Sequence, residues 1–402
     1  MADLPPSHVS AARRMGERQK RRNWWFAVDA PGLDLYERQA LPATSLLDSL
    51  YAQLVGELDQ ENGAFAWWSG HSDWKTLTML ADYLLQSILG SSEALVAASF
   101  AAQEHREQTY AETDAAKRLW REFVKAGQKN SRRFAEAHTS SDRTRRRTQR
   151  IIQSAESCFF HLMQTLDRLA VAVIIVGGFE VDVSGDVYWT TLESIATEAH
   201  SQKPKASVLG KGRVEPLGTA GRDLQLKLLT AVKDWQSFGE TDWLTWLRHT
   251  RNAMTHRSPA KRLNVIIDDQ MVWPFYKQPK WSELQSLVFG VGETGTSMLD
   301  AFIMRSSVDV LDGLCASTTK VVVALTEAMK SCWEARRSDP ATIIQQGKQW
   351  PTIEPTKSAL AFPEYGKALT PPVDGHGHTN DLDGIRWTAA RVDDSRRRDW
   401  YK

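Results

Sequence analysis

Cysteine is scarce in this chain: Cys158, Cys315 and Cys332 are its only thiols. Their number is odd, and no CxxC or Cys/His spacing accompanies them. A disulfide framework and a zinc cage are thereby excluded, and the three read as small apolar residues buried on helices in a reducing compartment. Excess charge is lacking as well. The formal net charge is +1 over 402 residues, so the molecule as a whole does not attract polyanions, and any phosphate-binding surface has to come from a local cluster of cations. Long apolar runs are also missing. The most apolar stretch, Leu169 to Phe179, has 11 residues, too few to span a bilayer, and reads as a buried helix. The basic leader (Arg13, Arg14, Arg18, Lys20, Arg21, Arg22) has no apolar segment behind it and does not read as a signal peptide. These absences lead to the expectation of a cytoplasmic protein with no membrane partner.

Several motifs of familiar chemistry are absent too. No GxSxG, HExxH or kinase-like set occurs. The run Gly290–Gly295 (GVGETG) lacks the Lys-Ser/Thr ending of a phosphate loop. His376-Gly377-His378 beside Asp374 reads as loop histidines in a Gly-rich tail. Asp268-Asp269 reads as a turn between two apolar runs. No metal site and no cofactor are expected.

What the chain has in quantity is helical pattern. Apolar positions recur at three- and four-residue steps over 41–58, with Thr44 or Ser45 as cap, and over 72–89, with Ser72 as cap. From Ser91 to about Ala137 there is no Pro and only one Gly, Gly127. That stretch, rich in helix formers, predicts one long helix or a helical hairpin. Residues 139–150 hold five Arg and read either as a solvated linker or helix start, or as a phosphate-contacting patch. Ile151 to Val176 predicts a central apolar helix. The stretch 177–224, with seven Gly, predicts an irregular connection. Helices are expected at 223–236, 241–257 and 297–337, with a β-hairpin from Leu263–Ile267 and Gln270–Phe275. Six of the 15 Pro lie between 340 and 372, which predicts an extended tail. The 16 Trp, among them Trp24-Trp25, Trp67-Trp68, Trp243 and Trp246, read chiefly as core fillers, with base stacking as the other use.

The segment of greatest chemical interest is Thr241 to His256. Trp243, Leu247, Thr250 and Met254 form a stripe to bury, while Arg248, Asn252 and His256 fall at four-residue steps on another face, with Arg251 beside them. One helix thus carries two guanidiniums, an amide and an imidazole. An imidazole can move protons to or from a ribose hydroxyl near neutral pH. A guanidinium can stabilise charge building on a phosphorane, and an amide can hold the imidazole or the substrate.

The run Arg251-Asn252-Ala253-Met254-Thr255-His256 resembles the R-x(4–6)-H signature of the HEPN-family ribonucleases, in which a polar residue often follows the Arg. The order of an apolar helix, the motif helix and a long closing helix over 150–337 resembles that family too. The resemblance covers residues 150–337 and implies a HEPN-type helical bundle there. The residue pattern of the whole chain predicts a mainly α fold, with an N-terminal helical region over 1–140, a small β-hairpin insertion and an extended tail over 338–402. The resemblance also implies a metal-independent endoribonuclease working by 2′-hydroxyl attack and leaving a 2′,3′-cyclic phosphate. The catalytic residues would be Arg251, Asn252 and His256, with Arg248, His249 and Arg257 binding substrate. Its partners would be RNA and a second copy of the chain, and the family's roles as toxins or antiviral defence effectors admit an antitoxin or defence-system protein as well. A second match to the spacing, Arg133 to His138, lacks the polar residue after Arg, lies in a polar stretch expected to be exposed, and reads as a decoy. Two rivals stay open: a non-catalytic RNA- or protein-binding module, and a structural protein in which Arg251 and His256 merely finish a helix.

Overall fold

The computed structural model describes residues 34–57, 74–127, 130–181, 183, 187–201, 214–256, 265–267, 270–277 and 301–343. Among these, eight α-helices carry the architecture: α1 (Leu35–Gly56), α2 (Trp74–Lys125), α3 (Ser131–Ser140), α4 (Asp142–Val176), α5 (Trp189–His200), α6 (Ala220–Lys233), α7 (Trp243–His256) and α8 (Ser307–Ser338). The protein is mainly helical, as its composition predicts.

The first helix begins earlier than its apolar pattern suggests. The Asp34 N–H donates to the Glu37 carboxylate at 3.1 Å, which secures the start at Leu35. The cap is therefore not Thr44 or Ser45, and Pro42 lies inside the helix. An interior Pro costs about 3 kcal/mol. Here Ala40, Ala43, Leu47, Leu50 and Leu54 are buried on both sides of it, and that burial holds the helix together.

Helix α2 runs unbroken for 52 residues, where the sequence suggests a boundary near residue 90. Gly90 does not end it. The Arg168 guanidinium of α4 donates to the Gly90 carbonyl at 2.7 Å, and a Cβ at that position would sit 2.9 Å from the guanidinium. The Gly is thus a place of close approach rather than a stop. The expected cap Ser72 lies outside the described residues. Helix α4 packs along α2 in the opposite sense: Arg168 meets Gly90, Ile151 meets His105, and Arg147 meets Glu112. The Arg-rich run 139–150 covers the end of α3 and the first turns of α4, with Ser141 at the N-cap.

One helix went unpredicted. The stretch expected to be irregular over 177–224 contains α5, whose Trp189, Leu192, Ile195, Ala196 and Ala199 are all buried. Its C-terminal carbonyls are met by a cation: Arg222 donates to Ala199 O at 2.6 Å. Arg336, 1% exposed, does the same for α4 by donating to Val176 O at 2.5 Å. Positive charge on the carbonyls that a helix leaves without intrahelical partners at its C-terminus meets the negative end of the dipole.

The last long helix starts at Ser307 rather than near 297. The residues before it are extended, because Ile303 N–H donates to Phe275 O at 2.7 Å and Lys277 N–H donates to Ala301 O at 2.9 Å. Val265–Ile267 pairs antiparallel with Gln270–Val272. Asp268 and Asp269, the expected turn, lie outside the described residues, as do residues 344–402 of the expected tail. A single apolar core takes in side chains from Ala40 to Ile343, so α1 and α2 share it with α4 to α8. By length and composition, α2 from Leu80 onward and α4 could each cross a membrane. In both, about two thirds or more of the apolar window is buried inside the protein (67% and 72%), as in core helices.

Candidate functional site

Helix α7 is fixed by its aromatic side. Trp243, Leu244, Leu247 and Thr250 are buried, while Met254 packs half-buried against the core. The Trp243 indole N–H donates to Trp235 O at 3.1 Å and that of Trp246 to Tyr276 O at 2.9 Å. Trp246 also meets Phe159 of α4 edge to face, with centroids 5.6 Å apart. These Trp are therefore packing groups. Their grip leaves Arg248, Arg251 and Asn252 on another face of the helix, where Arg248 meets Glu193 of α5 and the charge of Arg251 reaches Asp167 of α4.

On that face the two arginines have different surroundings. Arg248 donates to Glu193 of α5 at 2.8 Å, with both side chains about one quarter exposed. The same Glu193 carboxylate accepts the Trp189 indole N–H at 3.0 Å. Arg251 is half-buried and donates from Nη1 to the Asn252 side-chain oxygen at 3.0 Å. Its Nε is buried without a hydrogen-bond partner. Asn252 itself is exposed. Asp167 accepts the Trp189 backbone N–H at 2.9 Å, capping α5 from another helix. Burial pushes the Asp167 carboxyl above its ordinary range, against the opposing pull of the Trp189 N–H and of the Arg251 and Arg248 charges.

The structure brings Arg248, Arg251 and Asn252 together on one helix face. His249 lies half-buried on the same helix. His256 is the last residue of α7, but its side chain lies outside the described residues, as does all of Arg257. Asp167, Trp189 and Glu193 were missed from sequence. Trp189 and Glu193 belong to the unpredicted helix. Asp167 had a signal of its own, a carboxylate inside the apolar stretch of α4.

The second Arg-x4-His match behaves otherwise. Arg133 is exposed, but His138 is buried, contrary to the exposure expected of that stretch. Its ring lies 2.6 Å from the Glu112 carboxylate, and Arg147 binds the other oxygen of that carboxylate. The two motif residues thus do not share a surface. The thiols are all buried and unbridged, with Cys158 and Cys315 sulfurs 3.8 Å apart across α4 and α8. Among the described residues no group of three or more His, Cys, Asp or Glu could hold a metal ion. His376 and His378 lie outside those residues. Comparison with protein-family models, curated proteins and solved structures gave no match for this chain.

Proposed function

We propose that this protein is a metal-independent endoribonuclease of HEPN type, with Arg251, Asn252 and His256 as its catalytic residues. The observation that carries the reading is the state of Arg251. Among the described residues, this half-buried guanidinium is hydrogen-bonded only to a neutral amide and has a buried N–H left over, and such a group is suited to a phosphate oxygen. Arg248 contrasts with it, because Glu193 already neutralises that charge. In the proposed reaction the ribose 2′-hydroxyl attacks the adjacent phosphorus, its proton goes to a base, and the 5′-oxygen leaves with a proton from an acid. The products are a 2′,3′-cyclic phosphate and a 5′-hydroxyl. His256 supplies one proton-transfer group, Arg251 stabilises the phosphorane oxygens, and Asn252 orients Arg251 through the contact described above. Arg248, His249 and Arg257 are the proposed substrate-binding residues. A second copy of the chain, apposed through the same helix, would supply the other imidazole. The proposed setting is cytoplasmic, as a toxin or antiviral defence effector.

A second reading has its own support. Arg248 with Glu193, and Arg251 within electrostatic reach of Asp167, form a largely balanced cluster, which suits a non-catalytic RNA- or protein-binding module. Incubating labelled single-stranded RNA with the wild type, Arg251→Ala and His256→Ala separates the two. Catalysis predicts cutting by the wild type and a loss on the order of 10²–10⁴-fold in each variant. Equal results from all three proteins would remove the catalytic assignment.

A further inference from the structure

The charge of this chain is unevenly placed. Residues 110–150 hold 12 Lys and Arg against 5 Asp and Glu, a formal +7 in a chain whose total is +1. They comprise the far end of α2, all of α3 and the start of α4. The main core takes no side chain from α2 beyond Ala102 and none from α4 before Ala155. From there to Lys125, α2 continues for roughly 35 Å at about 1.5 Å per residue. This arm has its own means of cohesion. Phe134 of α3 packs on Ala116, Leu119 and Phe123 of α2, with Trp273 alongside, and the buried Glu112 carboxylate ties His138 of α3 to Arg147 of α4.

Six of the cations left outside that cluster fall into two stripes. Arg118, Arg121 and Lys125 of α2 stand at i, i+3 and i+7, and so do Arg143, Arg146 and Arg150 of α4. All six are exposed, and among the described residues none of them makes an ion pair. That spacing puts three charges on one helix face over about 10 Å. Like charges so close repel one another when empty, and counterions gather there until a polyanion displaces them. Beside the α2 stripe, Trp120 leaves 40% of its surface exposed while its ring touches Phe134 edge to face. An acidic protein would satisfy the cations alone. A single-stranded nucleic acid satisfies both features, phosphates on the guanidiniums and a base on the indole.

We infer that the α2–α4 arm is a binding surface for single-stranded RNA, separate from the face of α7 that carries Arg251. The inference rests on the ribonuclease reading for its choice of RNA, and it assigns the arm to substrate capture. The test uses the full chain and a fluorescent 2′-O-methyl RNA 20-mer, which lacks the attacking hydroxyl and stays intact. Binding is followed by anisotropy across a salt series. Wild type should bind with a steep salt dependence. The triple variant Arg143→Gln, Arg146→Gln, Arg150→Gln should lose about two from the slope of log K against log salt, and more than tenfold in affinity at low salt. Trp120→Leu, which keeps an apolar contact to Phe134, should weaken RNA binding about fivefold or more. Both variants should melt like wild type. Unchanged affinity and slope in the triple variant would overturn the proposal. So would competition by a polyglutamate peptide as strong as that by RNA, which would make the arm a dock for acidic proteins. Cutting of ordinary RNA by wild type but not by Arg251→Ala is scored separately, so failure of the arm and failure of the catalytic site remain distinguishable.

Discussion

His105 is 1% exposed, with Nδ1 donating to the Ile151 carbonyl at 2.9 Å and Nε2 accepting from the Ser307 hydroxyl at 2.8 Å. Burial pulls its pKa from the ordinary 6.5 down to about 4, against the smaller opposing effect of the Ile151 carbonyl. The unfolded chain therefore binds a proton between those two values that the folded chain refuses. Stability should fall as pH drops from about 6.5 toward 4, by up to about 3 kcal/mol from this residue. Urea midpoints at pH 7 and pH 4.5 should differ clearly in wild type, and the difference should shrink in His105→Gln; an unchanged difference would remove His105 as the cause. Glu112 acts in a lower window. Burial alone would raise it, but the bonds from His138 and Arg147 hold its carboxyl below the ordinary range. Its stabilising contribution is thus present above about pH 4.5 and is lost only in stronger acid. His138→Ala breaks that arrangement and should cost about 1–3 kcal/mol in a denaturation curve while leaving RNA cleavage intact. Loss of cleavage at normal stability would instead put His138 in the site. None of this burial was legible from residue spacing, because the partners Glu112 and Arg147 lie 26 and 9 positions from His138.

At the scale of elements, periodicity revealed the helices that are long and one-sided. The apolar helix ending at Val176, the motif helix and the closing helix were all readable from three- and four-residue steps. Their C-terminal ends were readable too, but the starts of α4 and α8 were not, and in α1 and α2 tertiary contacts overrode the local signals. Gly90 and Pro42 mark ends in a sequence but lie inside helices here, the first because Arg168 needs the space and the second because apolar faces flank it on both sides. Helix α5 escaped notice among seven Gly and a polar surround, although Trp189, Leu192 and Ile195 carry its spacing. The sequence pointed to one side of the candidate site, on α7. The other side, Asp167 of α4 and Glu193 of α5, is assembled only when those two helices meet α7. A tight junction near the C-terminal end of α8 gives a test of this packing. A Cβ on Gly221, at the start of α6, would lie 2.1 Å from the Thr342 backbone oxygen and 3.2 Å from Ile343. Gly221→Ala should therefore displace the short turn Pro340–Thr342 and the buried Ile343, at a cost of about 1–3 kcal/mol. A melting curve identical to wild type would show that the turn gives way freely.

For the whole molecule, the proposed chemistry needs a base and an acid, while one copy of α7 ends in one His256. Two copies related by a two-fold axis through α7 would supply both, and the paired Arg251 groups would then meet across one phosphate. Light scattering at micromolar concentration should give twice the 45.3 kDa chain mass. A monomer cutting RNA at full rate would end the shared-site proposal and leave a one-chain ribonuclease standing. The central claim, cleavage by Arg251 and His256 without metal, is tested most directly by the ends it leaves. Single-stranded RNA is incubated with wild type and with Arg251→Ala, both in excess EDTA, and the fragments are analysed by mass spectrometry. Wild type should yield 2′,3′-cyclic phosphate and 5′-hydroxyl ends, with none above background from Arg251→Ala. Cleavage that stops in EDTA, or 3′-hydroxyl ends, or equal cutting by Arg251→Ala, would contradict the account.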